Sequence, residues 1–260
     1  MKSEDVLSGI GHFFNDFVGA VVPGLVFLVL FALLHPGLWP NARFSISPDS
    51  SLALLSITGI SFAAGHGLLG FYYNVMERVL IKIRWFDDRR GKKRYVVRDQ
   101  ETILAEATSS ATFQLTKNLI IEKFGSFLPA IPTRASEVRN LAMTFSKESA
   151  TLGRRFMFIA LLGQATGAAL VVLAIETALV AITCSVLERE SVLIAYPVSW
   201  GIIVQTIILV LVAIVFFRRG DEFHSRAMKT PFSVAPVEIF LDKGSDVVQQ
   251  EADGLPGGRV

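Results

Sequence analysis

Four apolar stretches, each long enough to cross a bilayer, decide what solvent this chain folds in. A hydrocarbon layer about 30 Å thick takes roughly 20 helical residues at 1.5 Å each. The runs Phe13 to Leu34, Leu52 to Val75, Phe156 to about Cys184 and about Val192 to Phe217 meet that length. Short connections, His35 to Ser51 and Ser185 to Ser191, follow the first and third. Each pair is therefore expected to form an antiparallel helical hairpin with its irregular backbone outside lipid. With 52% hydrophobic and only 18% charged residues in 260, the chain is too apolar for an ordinary soluble domain. The expected fold class is all-α: an integral membrane four-helix bundle made of two helical hairpins, with a small cytoplasmic helical insert.

Charge orients the spans. The formal net charge of +2 hides a segregation: the segment from Arg78 to Arg155 and the tail after Phe217 hold nearly all Lys and Arg, whereas the short connections contribute Arg43 and Arg189. The positive-inside rule then places the insert and both termini in the cytoplasm of a bacterial inner membrane. Arg154-Arg155 and Arg218-Arg219 sit where long side chains snorkel to headgroups, and Trp39 and Trp200 suit the opposite interface. Glu4, Asp5 and Asp16 precede the first apolar run with only Lys2 in support, so no removable signal peptide is expected and the first span is retained. Four segments follow: residues 1–76 as the first transmembrane hairpin, 77–155 as the basic insert, 156–220 as the second hairpin and 221–260 as a cytoplasmic tail.

Lipid is as apolar as leucine, so membrane helices associate through close van der Waals packing of small residues. Gly59, Ala63 and Gly67 recur at four-residue steps in the second span, and Gly163 and Gly167 form a Gly-x-x-x-Gly pair in the third. Both faces are read as packing surfaces, within one chain or between copies of a homo-oligomer. Pro23-Gly24 lies mid-way along the first span, where proline removes a backbone donor and frees the carbonyl near Gly19, so a kink is expected there.

The polar residues within spans are Asn15 and Asp16 in the first, His66 in the second, Gln164 and Glu176 in the third and Gln205 in the fourth. An ionisable group in lipid costs about 2.5 to 3.5 kcal/mol, so each needs a partner or water. If the third crossing begins at Phe156, Glu176 lies near the outer interface; if it begins later, Glu176 is intramembrane. His66 is flanked by Gly65 and Gly67, and the stretch Gly65 to Gly70 formally matches Gly-x-Gly-x-x-Gly. That pattern binds dinucleotides only between a strand and a helix, so here its glycines are read as packing residues. The chain lacks a Walker loop, His-Glu-x-x-His, Gly-x-Ser-x-Gly and clustered cysteines or histidines, and Cys184 is its single cysteine. No enzyme activity, cofactor or metal is expected.

The second-span helix is expected to run on along the apolar stripe Val75, Val79 and Ile83, with Met76 and Leu80. A cationic turn follows, in which Arg89, Arg90, Lys92, Lys93 and Arg94 read as an anionic-lipid contact worth roughly 1 kcal/mol per near-surface cation. Nucleic acid is not expected, because a basic run alone has no base-reading geometry. One helix is expected from Asp99 to Phe124, and another from Thr133 to Thr151 continuing into the third span. The tail, with Pro231, Pro236 and a Pro-Gly-Gly end, is expected to be largely disordered.

Asp16, Pro23-Gly24 and Gly65-His66 resemble the pattern of a broad set of bacterial four-span inner-membrane proteins with an acidic residue before Pro-Gly and a Gly-His step. The order of two spans, helical insert and two more spans is similar to four-helix membrane effectors of nucleotide-signalled anti-phage systems. That likeness implies an oligomeric, channel-like effector on which a cytosolic protein or nucleotide signal acts through the insert. The alternatives are a non-enzymatic scaffold or accessory subunit tethering a cytosolic partner, and a transporter-like protein using His66 or Glu176. Membrane lipids are partners in every case. Reporter fusions at the centre of residues 78–155 and at the C-terminus are expected to report the same side of the membrane; opposite sides would overturn the orientation.

Overall fold

The computed structural model describes residues 3–35, 51–86, 93–125, 132, 134–187 and 200–253. The elements are α1 (Ser3–Leu34), α2 (Ser51–Phe71) running through a π-helical turn (Tyr72–Met76) into α3 (Glu77–Leu80), β1 (Arg84–Phe86), β2 (Lys93–Tyr95), α4 (Gln100–Thr108), α5 (Ala111–Phe124), α6 (Ala135–Phe145), α7 (Lys147–Leu187) and α8 (Trp200–Asp253). Among the described residues the elements are helices apart from β1 and β2, which pair antiparallel with Trp85 opposite Arg94. Helices in four segments are long and apolar enough to cross a membrane: Phe17–Leu34, Ala53–Leu80, Lys147–Thr183 and Gly201–Phe240. The last two have 37 and 40 residues. At 1.5 Å per residue they reach about 55 to 60 Å, roughly twice the hydrocarbon thickness, so each includes helix beyond any single crossing.

The chain divides into two compact units, Met1–Val97 with Phe158–Glu222, and Arg98–Met157 with Phe223–Val260. In the first, α1 and α2 touch backbone to backbone. A Cβ on Gly24 would stand 1.8 Å from the Ser61 carbonyl oxygen, and one on Gly65 would stand 1.8 Å from that of Ala20. The contact therefore runs along Ala20 and Gly24 on one helix and Ser61 and Gly65 on the other. Gly59 and Gly67 face open space and Ala63 is exposed, so this stripe does not pack against α1 within the chain. At 100° per residue, a face begun two residues later lies about 200° round the helix, which puts the Gly59 stripe on the outside. Pro23 is buried within α1, which stays helical to Leu34.

Helix α7 is the covered helix of the set. Within its apolar stretch 61% is buried, against 22%, 17% and 17% for the other three. Gly163 lets α8 approach through the Phe216 carbonyl and Gly220, and a Cβ on Gly167 would meet the Phe217 ring at 2.7 Å. The other spans keep large apolar side chains exposed, among them Leu54, Leu55 and Ile60 on α2 and Ile207, Ile208 and Val215 on α8. Such a surface fits a multi-pass membrane protein, for which lipid is the covering phase.

The π-helical turn corrects the stripe expected beyond α2. Its hydrogen bond from the Glu77 amide to the Tyr72 carbonyl spans five residues, one more than an α-turn. Side chains beyond it are therefore rotated by one position. Leu80 is buried, whereas Val75, Val79 and Ile83 are 47%, 51% and 44% exposed, and α3 ends at Leu80.

In the second unit, the single helix expected over 99–124 is two. Asp99 caps α4 by accepting from the Thr102 amide. The hydroxyls of Ser109 and Ser110 then bond back to the carbonyls of Glu106 and Ala107, and Ser110 accepts from the Phe113 amide to open α5. Two adjacent serines offer the backbone a turn in place of a helix, which is why the break falls there. Ser146 likewise separates α6 from α7 and caps α7 by accepting from the Ser149 amide.

The largest correction concerns the tail over 221–260, which is helical to Asp253 rather than disordered. Met228, Phe232, Ala235 and Ile239, at helical spacing, enter one core with Ile103, Leu104 and Ala107 of α4, Phe113 and Ile120 of α5 and Val138 and Ala142 of α6. Phe113 and Phe232 meet edge to face at 5.1 Å. Pro231 and Pro236 lack the amides that would serve the carbonyls of Ala227 and Phe232, four residues earlier. Side chains from other helices serve them instead. Arg139 donates from Nε and Nη2 to the Ala227 carbonyl, each at 3.4 Å, and the Thr116 hydroxyl, its one proton shared between the Thr112 and Phe232 carbonyls at 2.7 Å each, reaches across to Phe232. Burial lowers the Arg139 guanidinium pKa from its ordinary value, and so basic a group keeps its charge. The Glu238 carboxylate accepts from the Ser146 hydroxyl and the Glu148 amide, which draws α8 onto the α7 N-terminus. The insert from Arg98 onward and the tail are therefore parts of one unit, whereas residues 77–97 belong to the first unit.

This arrangement yields a double-mutant cycle. Thr116→Val leaves the Phe232 carbonyl buried without a donor and is expected to cost about 1 to 3 kcal/mol. In a Pro236→Ala background, where an amide returns at the right place, the same change should cost less than half as much. Thermal unfolding of the detergent-solubilised chain measures both, and equal costs would show that Thr116 does not compensate the proline.

Candidate functional site

Apolar helices buried against one another make every polar side chain among them conspicuous, because an unpaired one loses the full hydration it had in water. Two polar pairs lie along α7. His35, the residue after α1, has 1% side-chain exposure, and its Nε2 donates to Oε2 of Glu176 at 2.8 Å. The α1 helix holds the imidazole: the His35 amide bonds to the Phe31 carbonyl at 3.0 Å, and the Phe31 ring lies 4.6 Å from the imidazole. Glu176 is 31% exposed, so one side of its carboxylate stays accessible while the other meets its partner. Thus the acidic residue singled out in the third span lies level with the end of α1 and has a donor.

The second pair is at the π-helical turn. Tyr73 Oη donates to Oε1 of Gln164 at 3.5 Å, and Gln164 is buried against Gly220 of α8. Tyr72 is fully buried, its ring stacked on Phe217 at 5.7 Å, and its hydroxyl has no hydrogen-bond partner among the described residues. Twelve residues separate Gln164 from Glu176, about 18 Å along a helix. Between them Ala165, Ala168, Ala169, Leu173 and Ala174 are at most 2% exposed, so the middle of α7 is packed rather than open.

The remaining sequence candidates are not brought to these pairs. His66 is exposed on the outer face of α2, on the same side as Gly59, Ala63 and Gly67, and its ring meets Phe62 edge-on at 4.4 Å. Gln205 is half-buried on α8. Asp16 lies in α1, and Lys93 and Arg94 lie in β2. Arg89, Arg90 and Lys92 fall outside the described residues. No group of three potential metal ligands occurs among the described residues.

His35 was missed because it sits just outside the apolar run, where a histidine next to Pro36 reads as connection. The usable signal was the demand from Glu176: a lone carboxylate in a long apolar helix needs a donor, and an end-of-span histidine supplies one. Tyr72 carried no signal, since the π-helical turn that buries it has no sequence mark of its own. No protein-family model, curated protein or solved structure matches this chain.

Replacing Glu176 with Gln keeps an acceptor for His35 and should leave thermal stability near that of the parent. Glu176→Ala and His35→Ala should each cost about 0.5 to 1.5 kcal/mol, because either removes the hydrogen bond that joins them. The double alanine variant should be little worse than either single one. Fully additive losses in detergent melting curves would mean that the two side chains do not act as a pair.

Proposed function

We propose that this chain is a multi-pass bacterial inner-membrane effector whose helical unit of residues 98–157 and 223–253 receives a cytosolic signal, and whose apolar helices, assembled from several copies, respond by opening or perturbing the membrane. The observation that carries the reading is helical continuity. Both α7 and α8 begin or end in the unit built on the proline-containing core and contain an apolar span. A ligand that favours one arrangement of that core acts directly on two membrane helices, provided that it binds two arrangements unequally.

Oligomerisation is the second component. The middle of α7 is packed, and the ion path in this reading forms between copies. The outer face of α2 supports this reading: Gly59, Ala63 and Gly67 allow close approach, and the exposed His66 among them gains a hydrogen-bond partner only from outside its own helix pair. With the termini cytoplasmic, His35 marks the outer end of α1 and Glu176 becomes an outer-interface residue, where its charge is tolerable.

Induced expression in bacteria separates the effector from its alternatives. Rapid depolarisation is expected, abolished by disrupting the 98–157 unit. Unchanged membrane potential together with a co-purifying cytosolic protein would instead identify a scaffold. A pH-dependent flux lost on replacing His66 and Glu176 by alanine would identify a transporter.

A further inference from the structure

The unit of residues 98–157 and 223–253 contains an open groove of about 370 Å³, formed where the end of α4 and the start of α5 face α8. This is within the size range, about 300 to 1,000 Å³, of small-ligand sites. One wall carries cations: Arg226 and Lys229 stand three residues apart on α8 and so share a helix face. The opposite wall carries the Ser110 and Thr112 hydroxyls, 3.1 Å apart, at the first turn of α5. Ala107 and Phe232 supply an apolar floor.

The groove also contains its own carboxylate. Glu106 Oε2 lies 2.7 Å from Lys229 Nζ and 3.2 Å from Arg98 Nη1. A carboxylate held between two cations, one of which lines a ligand-sized groove, occupies the place that an incoming anion would take. Arg98 keeps Glu106 paired if Lys229 turns to another anion, so the exchange strands no charge.

We infer that this groove binds a phosphate ester of nucleotide size: the phosphate displaces Glu106 from Lys229 and is shared by Arg226 and the Thr112 hydroxyl, while the organic part lies along the apolar lining of the groove. Phosphate is favoured over a carboxylate because its three oxygens match two cations and the Thr112 hydroxyl, the Ser110 proton being held by the Ala107 carbonyl. The same chemistry has two sources, a soluble nucleotide or the headgroup of an anionic phospholipid. The inference deepens the effector reading by giving the signal a chemical class, and it rests on that reading only for its physiological consequence.

The test uses the full chain in nanodiscs of zwitterionic lipid, titrated calorimetrically with inorganic phosphate, AMP and ATP. AMP or ATP is expected to bind more tightly than inorganic phosphate. Lys229→Gln and Arg226→Gln should each weaken binding at least tenfold, and Glu106→Gln should tighten it severalfold by removing the competing carboxylate. Opposite effects from the two ends of one ion pair cannot arise from loss of stability, which would move both the same way. In a second arm, nanodiscs containing phosphatidylglycerol that protect Lys229 from an amine-reactive reagent, while nucleotides fail to bind, assign the phosphate to a lipid headgroup. Absence of both nucleotide binding and lipid protection, or equal weakening by Glu106→Gln and Lys229→Gln, overturns the inference. Binding by a chain that never depolarises cells would sink the effector reading alone, and depolarisation without binding would sink this one alone.

Discussion

The structure of this protein depends on two backbone carbonyls that proline leaves without amides. Pro231 and Pro236 should end α8, yet the helix continues because Arg139 and Thr116 donate to the Ala227 and Phe232 carbonyls. Those donors come from α6 and α5, so they act only once the segment has folded against those helices. Continuation of α8 and assembly of the core around Phe232 are therefore one event. Each carbonyl satisfied in this way removes a penalty that would otherwise favour a broken tail.

Close backbone approach plays the corresponding part in the apolar unit. Gly24 and Gly65 leave no room for any side chain between α1 and α2, and Gly163 and Gly167 bring α8 close to α7 through the Phe216 carbonyl and the Phe217 ring. In hydrocarbon, contact density rather than water exclusion holds helices together, so four missing Cβ atoms matter more than several leucines. The surfaces so joined leave α7 covered and its neighbours apolar on the outside, with the His35 and Glu176 pair at one end of the packed stretch and Gln164 at the other. Polar groups here mark where helices meet, and each needs a donor or acceptor supplied from a different helix.

The legible parts of the sequence were those that depend on local composition. The long apolar helices, the Asp99 cap and the helix closing at Gly125 follow from residue order alone. What escaped were features that depend on a partner far along the chain. The stripe read through Val75, Val79 and Ile83 with Leu80 divides at a π-helical turn, which leaves Leu80 buried and the other three exposed, and the α1–α2 contact falls on Ser61 and Gly65 rather than on the Gly59 to Gly67 steps. The tail was misread for the same reason. Its core residues Met228, Phe232, Ala235 and Ile239 are correctly spaced for a helix, but prolines outweigh spacing when no compensating donor is in view.

By itself the amino-acid sequence determined the long apolar helices: enough uninterrupted apolar length that, among the described residues, four segments are fit to cross a membrane, since length and hydropathy are additive properties of neighbouring residues. Tertiary structure alone decided which face of each helix is inner, that Glu176 is matched by His35, and that residues 98–157 and the tail form one folded unit. Those outcomes turn on angles about a helix axis and on donors brought in from more than eighty residues away. Neither is encoded in any local window, because the energy that selects them exists only after distant segments are in contact.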